Sequence, residues 1–208
     1  MSTAIPACDA ILLAAGSGRR LGLPKALLEL QGIWMLPRLV EVLRAGGCRS
    51  VHVVVRLEDV SILEARGGIP GAQIRINPDP DAGRTGSVLE GLESLGDSGL
   101  GDALLIHSCD IPLLSAEAVH QLIRAWMVEA KRETLAARLV TPGGKGGHPL
   151  LLGRDRIHEL QALTPERPLR DILHEDPDKV LSVVRRGDPG PFLDVDTPEQ
   201  LELLESLL

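Results

Sequence analysis

Residues 13–25, which read LAAGSGRRLGLPK, form the most informative stretch of the sequence. They follow an apolar run over residues 8–14 that predicts a buried strand. Glycines after a strand let the backbone curl around an anion, and its N–H groups can cradle phosphates. Arg20 and Lys25 add positive charge where a triphosphate would lie. The stretch therefore predicts a phosphate-binding loop in which Arg20 and Lys25 are catalytic, because they stabilise a phosphoryl-transfer transition state.

Two other kinds of phosphate loop fit this stretch less well. Gly16, Gly18 and Gly22 have the spacing GxGxxxG, but a dinucleotide-binding fold also needs an acidic residue about 20 positions later, after its second strand. Here the second predicted strand ends near Val55 and is followed by Arg56. A Walker A loop would need GKS or GKT, which the sequence lacks. A nicotinamide-dependent oxidoreductase and a plain glycine-rich turn remain the weaker alternatives.

The rest of the chain alternates apolar runs with amphipathic stretches, as βαβ units around a mostly parallel sheet do. Further strands are expected over residues 51–55, 73–76, 103–107, 134–140, 180–184 and 193–195. Helices are expected from Lys25 to a stop at Gly46-Gly47, over residues 83–95, from an N-cap at Ser115 towards residue 130, and after Thr197-Pro198. Residues 143–147 are expected to be a mobile loop over the site. We therefore predict one Rossmann-like, three-layer α/β domain over residues 1–208, with a mostly parallel mixed sheet.

Composition excludes several classes of partner. The net charge of -7 argues against nucleic acid and acidic membranes, since both would repel the surface. With two Trp, one Phe and no Tyr there is no aromatic platform for stacked bases. Cys8, Cys48 and Cys109 lack CxxC spacing, which suits a reducing compartment. The first apolar stretch is too short for a signal peptide or membrane span, so a cytoplasmic location is expected.

Residues 13–25 closely resemble the LAAGxGxRxGxPK signature of the MobA-like NTP transferases, which include molybdenum cofactor cytidylyltransferases and guanylyltransferases. Later segments resemble the family in the same order: Gly86-Ser87-Val88, Cys109-Asp110-Ile111-Pro112-Leu113, Gly147-His148-Pro149 and Asp194-Val195-Asp196-Thr197-Pro198-Glu199. The resemblance implies the nucleotide-diphospho-sugar transferase type of fold. It also implies a Mg²⁺-dependent enzyme that moves a nucleoside monophosphate from an NTP to a phosphorylated acceptor and releases pyrophosphate.

The resemblance also implies which residues hold the nucleotide. The residues expected to contact the nucleotide are Leu13, Ala14, Ala15, Gly16 and Gly18, and Lys25 is expected to contact its phosphates. Asn77 and Ser87 are candidates for the base and ribose, although the turn around Asn77 is also a competent connector. His148 is a candidate for contacting the acceptor phosphate or pterin, and a plain turn histidine fits equally well.

Three aspartates are candidates for the metal site. Asp110 follows an apolar strand and would hold the catalytic Mg²⁺, which prefers one or two carboxylates plus phosphate oxygens. By the resemblance, Asp194 and Asp196 would complete the metal or acceptor-phosphate environment. On a strand these two would point to opposite faces, so only one would reach the site. Asp196 fits almost as well as a cap of the final helix.

The resemblance implies CTP and molybdopterin as the substrates. The resemblance favours CTP over GTP, because guanylyl members tend to carry LAGG where this chain has Leu13-Ala14-Ala15-Gly16. The chain departs from the cytidylyl branch at Ile111, where that branch has glutamine, and at residues 166–170, where Arg170 stands in for the arginine of a GDxGAR-like stretch. These departures leave other acceptors open. The alternatives are a guanylyltransferase, a sugar- or polyol-phosphate nucleotidyltransferase, and a non-catalytic nucleotide-binding protein. A molybdoenzyme or its chaperone would be a possible protein partner.

Overall fold

Seven strands form one sheet in the computed structural model, which describes residues 7–96 and 100–206. In chain order the strands are β1 (Cys8–Leu13), β2 (Glu29–Leu30), β3 (Ile33–Trp34), β4 (Cys48–Arg56), β5 (Gln73–Asn77), β6 (Ala103–Ser108), β7 (Ala136–Val140), β8 (Gly146–Gly153) and β9 (Val180–Val184), of which β2 and β3 pair separately. The helices are α1 (Met35–Ala45), α2 (Val60–Ala65), α3 (Arg84–Leu95), α4 (Ala116–Met127), α5 (Arg154–Gln161), α6 (Asp171–His174) and α7 (Pro198–Glu205).

The strand order is β5-β4-β1-β6-β8-β7-β9, and the sheet is mixed. β5, β4, β1 and β6 run parallel, whereas β8 is antiparallel to both β6 and β7. β1 and β6 are buried along their whole length, which explains why they read as continuous apolar runs. Because parallel strands end at the same edge, the segments after β1 and β6 lie side by side there. The predicted mostly parallel mixed sheet is confirmed.

Helices cover both faces of this sheet, giving the expected three layers. α1 and α4 pack on one face, where Leu12, Val53 and Leu105 point into an apolar cluster. α3 and α5 pack on the other face against Ile11 and its neighbours on β4 and β6. Burial of each large aliphatic side chain stabilises the fold by roughly 1.5–3 kcal/mol. Within the described residues, no helix combines the length and apolar character needed to cross a membrane.

The segment after the glycine loop differs from the predicted helix. Residues 25–27 form only one 3₁₀ turn, and the chain then makes the β2–β3 hairpin through a two-residue turn at Gln31 and Gly32, both with positive φ. Helix α1 starts at Met35, ten residues later than expected for a start at Lys25. The hairpin forms because Leu28 and Leu30 pack against α7 and the segment before it, a contact that local periodicity does not reveal.

Two further predictions were wrong near the carboxyl half. Residues 143–147 are not one loop: a turn closed by the bond from the N–H of Thr141 to the carbonyl of Lys145 ends at Gly146, where β8 begins. Residues 193–195 are not a strand, although Val195 is fully buried there. The expected caps are confirmed. Ser115 accepts a hydrogen bond from the N–H of Ala118, and Thr197 forms a capping box at the start of α7.

Candidate active site

The ammonium group of Lys25 lies between two carboxylates at the carboxyl edge of the sheet. Its Nζ is 2.6 Å from Oδ2 of Asp110 and 2.5 Å from Oδ1 of Asp196. The side chains of Lys25 and Asp110 are only 17% and 8% exposed. Arg20, which is largely exposed, binds the other oxygen of Asp196 at 2.7 Å. All three predicted catalytic residues, Arg20, Lys25 and Asp110, are thus brought into one charged group.

The glycine loop holds Lys25 in this position. The N–H of Gly22 bonds to the carbonyl of Gly18 at 2.9 Å, so the loop closes on itself. Gly18 has φ +60°, and a Cβ at this residue would lie 1.8 Å from the carbonyl oxygen of Leu23. Only glycine fits there. The closed loop places Lys25 near the end of β1, where its backbone N–H donates to the carbonyl of Gly16 at 3.3 Å.

Asp110 and Asp196 are held together by the backbone as well as by Lys25. Asp110 lies in the turn directly after β6, and its carbonyl accepts a 2.7 Å hydrogen bond from the N–H of Val195. The buried side chain of Val195 anchors this segment in the cluster around α7. Asp196 therefore faces the site without being part of a strand. The cap of α7 is Thr197, so Asp196 does not serve as that helix cap.

The charges in this group stabilise one another. Burial alone would raise the pKa of Asp110, but Lys25, Ser108 and Arg84 outweigh it and hold the pKa below its ordinary value. Burial likewise opposes the charge on Lys25, yet Asp110 and Asp196 raise its pKa. Both groups are ionised at neutral pH. An entering triphosphate would compete with the two carboxylates for the same ammonium.

Several connected cavities surround Lys25. One of about 160 Å³ is lined by Leu13, Ala15, Gly16 and Ser87, and another of about 260 Å³ follows the glycine loop past Gly18. A third, of about 350 Å³, contains Asp110, Asp194, Asp196 and His148. Lys25 lines all three cavities. The predicted nucleotide-binding and acceptor-side residues therefore border one continuous cleft, apart from two exceptions.

Ala14 and Asn77 are the exceptions, because their side chains do not line the cleft. Ala14 is fully buried in the apolar cluster on the α1 side of the sheet. Asn77 is also buried; its amide donates to Oγ of Ser87 at 2.9 Å, and its Oδ1 accepts from the N–H of Asp79. Asn77 thus positions Ser87, which does border the cleft.

The carboxylates fit a divalent metal only in part. Oδ1 of Asp110 is buried and has no hydrogen-bond partner, as expected of an oxygen kept for a cation. Asp194 is exposed and lines the same cavity, while both oxygens of Asp196 are engaged by Lys25 and Arg20. No group of three or more metal-ligating side chains exists in residues 7–96 and 100–206. The arrangement suits a cation that takes its remaining ligands from phosphate oxygens and water.

His148 and Cys109 both lie next to this group in uncharged form. Burial and the nearby Arg84 lower the pKa of His148 to about 4, and its Nδ1 has no hydrogen-bond partner. Burial raises the pKa of the Cys109 thiol well above its usual range, so Cys109 is the small buried thiol expected rather than a nucleophile. His107 packs edge-on against His148 and bonds the carbonyl of Ile111.

Arg84 is one of the cleft residues that sequence reasoning missed. It opens α3, lies 4.0 Å from Oδ2 of Asp110, and lines both the cavity of about 160 Å³ and the cavity of about 350 Å³ that holds the three aspartates. Lys145, on the turn before β8, lines the latter cavity too. A signal for Arg84 was present, since it directly follows Gly83 at a predicted helix start beside a turn-rich segment.

Comparison with known proteins points to one family. The model of the MobA-like NTP transferase domain matches residues 10–180. Nicotine blue oxidoreductase of Paenarthrobacter nicotinovorans is 27% identical over 202 residues, covering 96% of this chain and 97% of that protein. The bifunctional protein GlmU of Clavibacter sepedonicus is 29% identical over 157 residues, covering 74% of this chain but only 31% of GlmU.

Solved structures share the fold at low sequence identity. Rv0371c from Mycobacterium tuberculosis H37Rv has a TM-score of 0.78 at 20% identity, over 98% of this chain and 100% of that one. A structure of Rv0371c in complex with manganese has a TM-score of 0.76 at 20% identity, over 97% of this chain and 100% of that one. A nucleotidyl transferase from Methanothermobacter has a TM-score of 0.75 at 21% identity, with 97% of each chain covered.

Proposed function

This chain belongs to the family of MobA-like NTP transferase domains, and we propose that it transfers a nucleoside monophosphate from an NTP to a small phosphorylated acceptor. The proposal rests on the ammonium of Lys25, which is fixed beside the glycine loop and between Asp110 and Asp196. A cation held there faces the cavities on both sides of the loop. It can therefore meet the phosphates of two substrates.

The reaction is an in-line displacement at the α-phosphorus of the NTP. An oxygen of the acceptor phosphate forms a new bond to that phosphorus, the bond to the β-phosphate oxygen breaks, and pyrophosphate leaves with the electron pair. The attacking oxygen is already anionic, so no general base is needed. Lys25 and Arg20 neutralise charge on the transferred and leaving phosphates, while the loop around Gly18 fixes their position. This explains why a neutral His148 and an inert Cys109 suffice beside them.

Asp110 is the residue we propose to hold Mg²⁺, with its unpartnered Oδ1 as the ligand and Asp194 as the second carboxylate in the cavity. Bound there, the metal would supply charge neutralisation on the phosphate oxygens. Asp196 has a different task, because both its oxygens are taken by cations. It positions Lys25 and Arg20 at the loop.

We further propose CTP as the nucleotide and molybdopterin, with or without molybdenum, as the acceptor. CTP rests on the resemblance of Leu13-Ala14-Ala15-Gly16 to the cytidylyl branch, and molybdopterin rests on the resemblance of the chain to the family as a whole, from which Ile111 and residues 166–170 depart on the acceptor side. A molybdoenzyme or its chaperone would then receive the product. GTP, or a sugar or polyol phosphate, would use the same cleft with another base or acceptor.

The test is pyrophosphate release in the presence of Mg²⁺, with each of the four NTPs and each acceptor in turn. Release with CTP and molybdopterin supports the full proposal, and release with GTP moves the chain to the guanylyl branch. Release only with a sugar or polyol phosphate corrects the acceptor. NTP binding without release from any pair would contradict catalysis and favour a nucleotide-binding protein.

A second candidate function follows from the relative with almost full-length coverage, whose name is that of an oxidoreductase. It predicts that NADH or NADPH binds in the cleft and is oxidised by a second substrate that accepts the hydride. Nicotinamide fluorescence on mixing with the protein tests this directly. Lys25→Ala tests the first function, because the loss of this phosphate-binding cation should abolish nucleotidyl transfer. Unchanged pyrophosphate release by this variant would refute the role given to Lys25.

A further inference from the structure

A larger cavity of about 600 Å³ opens beside the group of Lys25, Asp110 and Asp196. Arg84, Gly146, Gly147 and His148 line both this cavity and the one that holds the three aspartates, so the two spaces are continuous. The floor is apolar and includes Leu13, Ile106 and Leu150. The nucleotidyl-transfer step described above gives no role to Arg138, Arg167 or Arg170, which also line this cavity.

The lining of this cavity is strongly basic. It includes Arg84, Arg138, Arg167 and Arg170, whereas Glu166 is the one carboxylate among the described lining residues. The chain as a whole carries a net charge of -7, so this concentration of guanidinium groups runs against its average. Arg167 is already paired with Asp171 and Glu175. Arg138 and Arg170 make no side-chain ion pair within residues 7–96 and 100–206.

Arg138 is the most constrained of these groups. It projects from β7, is partly buried, and its Nε is enclosed without a hydrogen-bond partner. A Cβ on Gly146 of the neighbouring strand would lie 2.9 Å from Nη1 of Arg138. Because Gly146 has no side chain, there is space beside it for the guanidinium of Arg138. A partly buried cation with an unpartnered N–H gains stability when a ligand supplies the counter-charge and the hydrogen-bond acceptor.

We propose that the cleft selects phosphorylated acceptors that carry a second anionic group, separate from the phosphate that attacks, and that Arg138 binds this second group in the 600 Å³ cavity. The inference rests on the proposed nucleotidyl transfer for the position of the attacking phosphate, beside Lys25. A guanidinium recognises a carboxylate, phosphate or sulfonate through paired N–H donors. Arg170 adds charge to the same subsite. The apolar floor contacts the part of the acceptor that joins the two anionic groups.

The experiment uses two matched probe series of increasing chain length: ω-carboxyalkyl phosphates and ω-hydroxyalkyl phosphates. Binding to the full chain is measured by calorimetry with Mg²⁺ and a non-hydrolysable CTP analogue. A carboxylate that reaches Arg138 should tighten binding about tenfold or more over the hydroxyl probe of the same length. Arg138→Gln should bring that ratio close to one and leave the affinity of the hydroxyl series unchanged.

Arg124→Gln is the matched control, because Arg124 is an exposed arginine on α4, which packs on the opposite face of the sheet. It should keep the carboxylate preference. Gly146→Ala should lower the preference for the carboxylate probe while retaining the charge of Arg138. This variant replaces Arg138→Gln as the test if Arg138→Gln does not fold. Absence of any carboxylate preference, or its persistence in both cavity variants, would overturn the inference.

The two proposals fail separately. If pyrophosphate release is absent but the carboxylate preference holds, nucleotidyl transfer is wrong and the anion subsite stands. If transfer occurs with a phosphate acceptor and no carboxylate preference exists at any length, the subsite alone is wrong.

Discussion

Replacing Lys25 by methionine removes the charge that holds the site together while keeping an unbranched side chain of similar length. Two short contacts disappear, at 2.6 Å to Asp110 and 2.5 Å to Asp196. Asp196 keeps Arg20 and is 22% exposed, so water and Arg20 replace Lys25 there. Asp110 is only 8% exposed, and its nearest remaining cation is Arg84 at 4.0 Å. The cost therefore falls mainly on Asp110.

We expect Lys25→Met to lower the free energy of unfolding by about 3 kcal/mol at pH 7, the lower end for breaking a buried pair. The loss should depend on pH. In the wild-type chain burial would raise the pKa of Asp110, but Lys25 outweighs it, and the stability from the lowered pKa is lost as pH falls through that value. Without Lys25, burial should raise the pKa of Asp110. In the variant Asp110 therefore becomes protonated as pH falls, and the cost of burying its unpaired charge disappears. The difference between the two proteins should therefore shrink from pH 7 towards and below the ordinary pKa of 3.8.

Urea unfolding, followed by circular dichroism at neutral and acidic pH, measures this difference. Lys179→Met is the matched control, because Lys179 is 45% exposed and pairs only with Asp176 among the described residues. Its effect should stay within about 0.5 kcal/mol. A Lys25→Met variant as stable as wild type at pH 7, or a loss that does not change with pH, would refute the electrostatic account of the site.

Three other predictions concern the loop, the histidine and the metal. Gly18→Ala should weaken NTP binding by about tenfold or more in calorimetry, because its Cβ would strike the carbonyl of Leu23, whereas Gly22→Ala meets no atom within 4 Å and should have the smaller effect. Equal effects would contradict the loop geometry. Because the pKa of His148 is lowered to about 4, kcat/KM should show no inflection between about pH 6 and 8 that His148→Gln removes. Chelation of divalent metal should abolish pyrophosphate release. Asp110→Asn should raise the Mg²⁺ concentration for half-maximal rate about tenfold or more, and an unchanged value would contradict its role as ligand.

The sheet could be predicted because its strands are marked locally. β1, β4 and β6 each contain a short apolar run, over residues 10–13, 53–55 and 103–106, and each strand was recognised. The β2–β3 hairpin was not, since Leu28 and Leu30 pack in a cluster completed by Val195 and Leu204, far along the chain. β8 was missed as well, because its first residues, Gly146 and Gly147, resemble a loop.

The part of the candidate site that could be predicted consists of charged residues in or directly after recognisable motifs. Arg20 and Lys25 stand in the glycine loop, and Asp110 follows a buried strand. The pairing of Lys25 with Asp196 joins residues 171 positions apart, so only the folded chain shows that Asp196 holds a cation. Arg138 was missed for the same reason, since the space for its guanidinium is set by the neighbouring strand.

The most direct test of the central claim follows the α-phosphate itself. CTP labelled at the α-phosphorus is incubated with Mg²⁺, with molybdopterin or a sugar or polyol phosphate as acceptor, and with either wild-type protein or Lys25→Ala, and the labelled products are separated. The account predicts that label moves into a nucleotidylated acceptor with wild type, and that the rate falls about a hundredfold or more with Lys25→Ala. Label that stays in CTP with every phosphorylated acceptor, or equal transfer by the two proteins, would contradict it.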